Sequence, residues 1–131
     1  MSTFNLFVYG TLRSGGAQND RLASCEKLHD ASVRGTLYDI DGRFPALVLY
    51  GSDVIAGEVW RCPAELLPAL DEYEDTANGL FRRIGAEVED AGGGLVPCWL
   101  YVAGPALSRR LTPDRRTSGP QSWLRSQGTP A

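Results

Sequence analysis

Apolar residues fall in short blocks along the chain, and the blocks differ in rhythm. Phe4 to Tyr9 is apolar at nearly every position, which predicts a strand covered on both faces. It halts at Gly10, with Thr11, Leu12 and Arg13 directly after, the form of a strand that ends at a loop. The Gly15-Gly16 pair extends that loop through Ser14 to Gln18. Asn19 is placed to cap a short helix running through Leu22 and Cys25. Val33 to Ile40 predicts a second strand, with Asp41-Gly42 as a turn. Ala46 to Tyr50 predicts a third strand, Gly51-Ser52-Asp53 another turn, and Val54 to Arg61 a fourth strand.

The character changes at Pro63. "PAELLPALDEYED" is made of helix formers, and Pro63 suits a first-turn position. Leu66, Leu67 and Leu70 supply an apolar face. Pro68 removes an interior hydrogen bond, which predicts an irregular first turn. Residues 76 to 79 form a loop. Phe81 to Glu89 and Leu95 to Val102 predict a hairpin closed by Ala91 to Gly94. From Gly104 the chain is rich in Arg, Ser, Pro and Thr. These elements total about six strands and one or two helices, clustered rather than alternating. That order predicts an α+β fold or a small mixed β-barrel, and not a doubly wound sheet. Residues 1–103 form its domain, and 104–131 a C-terminal segment that is partly docked or flexible, with Trp123 as its docking residue.

Composition narrows the function. The 131 residues suffice for one domain with a real core, and 43% of them are hydrophobic against 22% charged. The net charge of -3 gives no basic footprint for nucleic acid and no polybasic surface for membranes. The first stretch lacks a positive n-region and a long apolar core, so no signal peptide is expected. Cys25, Cys62 and Cys98 are widely spaced, without a CxxC pair, and His29 is the sole histidine. On that pattern no zinc site is expected, and the thiols are expected to be reduced in a cytoplasmic protein. Cys25 and His29 lie in a polar stretch with no motif to support a catalytic pair. Lys27, the only lysine, stands between Glu26 and Leu28 and reads as a solvated side chain.

Three features carry candidate chemistry. Gly10 to Gly16 is not a Walker A loop, because Ala17-Gln18 follows its last glycine, and the dinucleotide fingerprint fails as well. What remains is a strand end with backbone amides at Gly10 to Leu12. It reads either as a nest for an anionic group or as a tight turn. The second feature is Glu74. Leu66, Leu70 and Glu74 fall at i, i+4 and i+8 and share the apolar helix face. Burial and the neighbouring Asp71, Glu72 and Asp75 would raise its pKa and make it a better base near neutrality. The competing reading is a solvated acidic helix end. The third is Phe81-Arg82-Arg83, where one arginine pairs with the acidic cluster, binds a substrate carboxylate, or faces water. Arg13 is a further candidate anchor for a carboxylate.

Together these motifs resemble the gamma-glutamylcyclotransferase-like superfamily, especially its small bacterial members and the gamma-glutamylamine cyclotransferases. The resemblance begins with "VYGTLRSG" and continues through Asn19, "RGTLYDIDGRFPALV", "GEVW", "LDEYED" and the Arg83 strand to "CWLYV". Ser118-Gly119 with Trp123 is a fainter echo of a family segment, and Phe81 stands where many relatives have tyrosine. The resemblance implies a small barrel with flanking helices. It implies conversion of a gamma-glutamyl amine or amide to 5-oxoproline and free amine. It places glutamyl binding on Tyr9, Gly10, Thr11 and Leu12, and general acid/base catalysis on Glu74. No cofactor or metal is expected, and the partner is a small gamma-glutamyl molecule, not nucleic acid or membrane. The pattern assigns no oligomeric state. Two other readings stand beside it. One is a non-catalytic member of the same fold that binds a small metabolite. The other is an interaction module whose Arg109-Arg110 and Arg115-Arg116 pairs meet an acidic partner.

Overall fold

The computed structural model describes residues 2–116. Five strands form a closed barrel: β1 (Thr3–Val8), β2 (Glu26–Ile40), β3 (Phe44–Pro63), β4 (Phe81–Asp90) and β5 (Leu95–Ala103). Their order around the barrel is β1-β3-β2-β4-β5. Neighbours pair antiparallel except β1 and β5, which run parallel and close the ring at Leu6 and Trp99. The sheet is therefore mixed and closed, one of the two architectures that the clustering of strands and helices leaves open.

Alternation along each strand divides the core in two. Phe7, Leu37, Leu47, Ile55, Val59, Val88 and Leu100 belong to one buried cluster, which fills the barrel. Leu6, Val8, Trp60 and Cys62 point the other way, into a second cluster shared with Leu70 and Leu107. Those two leucines come from α1 (Leu67–Tyr73) and α2 (Pro105–Ser108), so the second cluster is the layer between barrel and helices. β1 serves both clusters, which explains why its sequence carries no polar face.

Five strands replace the expected six because Phe44–Pro63 is one strand. Its partner β2 runs past the interruption: Gly35 pairs with Asp53 and Thr36 with Val48, so residues 49–52 bulge out of the ladder. Thr36 donates its hydroxyl proton to the Tyr50 carbonyl and ties the bulge down. The Gly51-Ser52-Asp53 signal is thus a bulge, not a strand break. β2 also begins earlier than expected. Glu26 to Ser32 pairs with β3 although most of its residues are polar, because much of that stretch faces outward while Leu28 and Ala31 reach the core.

The Asp41-Gly42 turn forms as read, with both residues at positive φ, and joins β2 to β3. The Pro68 irregularity also appears: residues Ala64–Leu66 form a single 3₁₀ turn, and the α-helix starts only at Leu67. Asn19 does not cap a helix. It lies inside a 3₁₀ turn, Asn19–Leu22, and its side chain donates to the Leu12 carbonyl instead (2.8 Å). After Gly104, residues 105–116 lie against the barrel. Leu107 is fully buried, Arg110 and Arg115 both pair with Asp41, and Arg116 pairs with Asp53. Ser118, Gly119 and Trp123 lie outside the described residues. No helix among the described residues is long and apolar enough to cross a membrane.

Candidate active site

β1 leaves the barrel at Tyr9, and the loop that follows is fixed by its own carbonyls. The Gly10 carbonyl accepts from Arg13 N, the Thr11 carbonyl from Gln18 N, and the Leu12 carbonyl from Asn19 Nδ2. A trans peptide sets its N–H opposite its C=O. The amides of Thr11 and Leu12 are therefore turned away from those partners. Gly10 is required by close approach: a Cβ there would lie 2.6 Å from Cγ of Pro45. The loop packs directly against the start of β3.

Tyr9 is buried, and its hydroxyl is fully engaged. It donates to the Tyr101 carbonyl (2.6 Å) and accepts from Leu47 N (3.2 Å). Burial, and then the negative charge of Glu74, hold this phenol far above its ordinary pKa. Tyr9 is thus a neutral structural donor at the base of the loop.

α1 delivers the acid. Glu74 is its C-terminal cap, with its amide bonded to the Leu70 carbonyl (2.9 Å). The chain turns sharply at Asp75, which has positive φ. Glu74 is half-buried, and burial pushes its carboxyl from 4.5 to about 7, against a smaller downward pull from Arg21. Arg21 itself stacks over the Tyr73 ring, 4.0 Å from its centroid.

One cavity of about 300 Å³ joins these parts. Tyr9, Gly10, Thr11 and Leu12 line one side, Tyr73 and Glu74 another, and Phe44, Pro45, Phe81 and Tyr101 close it. Its size suits a small molecule. Glu74 is the only carboxylate among the described residues that line it.

A second network braces the wall. Tyr101 donates its hydroxyl to Asp71 (2.6 Å), and Arg83 holds the same carboxylate with bonds of 2.9 and 3.2 Å. Trp99 lies under the guanidinium at 4.4 Å. Burial, then Asp71, raise the Tyr101 pKa well beyond the usual phenol range. Arg83 is therefore the partner of the acidic cluster, one of the three roles open to it. Arg13 is turned to Glu58 (3.5 Å) rather than lining the cavity, so it is no carboxylate anchor there. Lys27 pairs with Asp30 (3.0 Å) and Glu58 (3.7 Å) and is not simply solvated.

Sequence reasoning misses Tyr73, Tyr101 and the Phe44-Pro45 pair. The signal for Phe44-Pro45 was present: a turn at Asp41-Gly42 folds them back onto the layer that receives the end of β1. Nothing local marks Tyr101, which reaches the site only because β5 runs parallel to β1. No group of three or more potential ligands among the described residues is placed to hold a metal ion.

Comparison with known proteins agrees with this architecture. A curated relative from Niallia circulans, gamma-L-glutamyl-butirosin B gamma-glutamyl cyclotransferase, is 38% identical over 105 residues, spanning 75% of this chain and 65% of that protein. The crystal structure of an AIG2-like protein from Mus musculus superposes with a TM-score of 0.74 at 19% identity, covering 94% of this chain and 89% of that one. A uropathogenic E. coli-specific protein gives 0.72 at 20% identity, covering 98% of both chains. The family model "Gamma-glutamyl cyclotransferase, AIG2-like" matches residues 6–125. With that match across nearly the whole sequence, the chain belongs to the gamma-glutamyl cyclotransferase, AIG2-like family.

Proposed function

We propose that the protein is a gamma-glutamyl cyclotransferase, converting a gamma-glutamyl amine or amide to 5-oxoproline and the free amine. The observation that carries this reading is a carboxyl with a pKa of about 7 in the same small cavity as the Gly10–Leu12 loop. Family membership and the relative that acts on gamma-glutamyl-butirosin B support it.

The reaction is intramolecular. The substrate's α-amine nitrogen bonds to its own γ-carbonyl carbon, and the bond from that carbon to the leaving nitrogen breaks. No cofactor and no enzyme nucleophile are needed. The protein's first task is to hold the folded conformer, which is worth up to ~7–11 kcal/mol where alignment is good. Amides of the Gly10–Leu12 loop hold an anionic oxygen of the substrate.

The second task is proton transfer. An α-amine is largely protonated at neutral pH, with a pKa near ~8. Passing its proton to an ordinary carboxylate crosses a gap of about 3.5 pH units, roughly 5 kcal/mol. For Glu74 the gap shrinks to about 1 unit, roughly 1.4 kcal/mol. Glu74 takes that proton; as the ring closes the same nitrogen sheds a second one, and both protons end on the departing amine, which leaves as its ammonium, with Glu74 delivering the one that breaks the bond, so the carboxylate is regenerated each turnover. The proposed setting is the cytoplasm, to which the free thiols of Cys25, Cys62 and Cys98 lend support.

A panel of gamma-glutamyl amines and gamma-glutamyl amino acids, assayed for 5-oxoproline release, tests the reading. Turnover of at least one class is expected. Binding of 5-oxoproline, seen as a thermal shift, with no turnover of any compound would contradict it.

A further inference from the structure

Glu58 is a carboxylate that the proposed chemistry does not use, yet it is only 3% exposed. It does not line the cavity. Burying a charge is costly unless it is paired and hydrogen-bonded. Glu58 is well compensated. Its Oε1 accepts from Ser14 N (2.9 Å) and from the Trp60 indole nitrogen (3.0 Å). Its Oε2 faces Arg13 Nε at 3.5 Å and Lys27 Nζ at 3.7 Å.

The placement of those partners is informative. The Glu58 backbone pairs with Val8, the last residue of β1 before the loop departs. Its side chain receives the loop again at Arg13 and Ser14. One residue thus holds both the exit and the return of the segment that contains Gly10, Thr11 and Leu12. The sole lysine of the chain adds a second charge to the same oxygen, from β2.

We propose that Glu58 is a positioning residue that latches the Gly10–Leu12 loop in its substrate-binding shape through Arg13 and Ser14. The assignment of substrate binding to that loop rests on the function proposed above; the latch itself does not. Glu58→Gln is the informative change. It keeps an oxygen for Ser14 and Trp60 but sets an amide NH₂ against Arg13 and Lys27, which are donors only.

The test has two arms. In the free protein, amide hydrogen exchange across residues 10–16 should quicken in Glu58→Gln by about tenfold, the scale of one partly buried ion pair turned into a donor–donor contact. The Trp60 indole proton resonance should move, while exchange in β4 and β5 stays as in the parent. In steady-state assays KM should rise about tenfold, with kcat and its pH midpoint held, because Glu74 stands on another element. Arg13→Met, which keeps the aliphatic stem and leaves the carboxylate in place, should loosen the same amides and raise KM likewise. It serves if Glu58→Gln fails to fold. Unchanged loop exchange in a folded variant would overturn the latch whether or not the protein proves to be a cyclotransferase. Quickened loop exchange with KM unchanged and kcat lowered would overturn the positioning role.

Discussion

The hydroxyls of Thr11 and Tyr73 share a hydrogen bond of 3.1 Å, which links the loop after β1 to the residue preceding Glu74. Arg21, from the turn that follows that loop, lies over the ring of the same tyrosine, 4.0 Å from its centroid. Two segments far apart in sequence thereby hold their relative position across the cavity. A neutral hydrogen bond of this kind contributes about 0.5–1.5 kcal/mol. Tyr73→Phe should therefore fold normally and lose roughly 3- to 10-fold in kcat/KM, read in the 5-oxoproline assay. An unchanged kcat/KM would show that this link does not hold the two sides in register.

Arg21 also tunes the acid. Its positive charge lowers the Glu74 pKa, opposing the larger effect of burial. In Arg21→Met the downward pull is gone, so the carboxyl holds its proton to higher pH. The acidic limb of the kcat/KM profile should shift upward in pH, and the rate at pH 6.5 should fall more than the rate at pH 9. A limb that moves down in pH would contradict the assignment of that limb to Glu74.

Glu74 should cost the fold stability at alkaline pH. Its folded pKa of about 7 exceeds the ordinary 4.5. Below the ordinary value the carboxyl is protonated in both states and no penalty arises. As pH rises the unfolded chain releases the proton first, so stability falls until the folded carboxyl ionises near pH 7, and the penalty is constant above that. Glu74→Gln should consequently be more stable than the parent by about 1–3 kcal/mol at pH 8.5 and equal to it near pH 4, measured by urea unfolding.

The segment after β5 contributes to the core. Leu107 is fully buried in the layer that also holds Leu70 and Val8. Leu107→Ala should cost about 2–5 kcal/mol in urea unfolding. Because Leu107 does not line the cavity, KM for the folded fraction should be unchanged.

The fold was legible where one element alone decides the pattern. Phe4 to Tyr9 announces a two-faced strand, Asp41-Gly42 a turn and Pro68 a disturbed helix start, and each depends on local backbone chemistry. Glu26 to Ser32 was not legible, because Leu28 and Ala31 are its only apolar residues and do not alternate, and its pairing is set by β3. The bulge at residues 49–52 looked like a turn for the same reason: only the register of β2 shows that the ladder continues. The loop and Glu74 stand out in sequence through the glycine stop and the acid on an apolar helix face. The Asp71–Arg83–Tyr101 network and the Glu58 contacts do not, since each joins residues from separate strands and helices.

The most direct measurement is 5-oxoproline release by Glu74→Gln against the parent enzyme, on a gamma-glutamyl substrate the parent turns over, with both proteins shown to be folded. Loss of the general acid/base should lower kcat by about 10²–10⁴-fold while 5-oxoproline still binds. Glu74→Gln turning over at the parent rate would contradict the account.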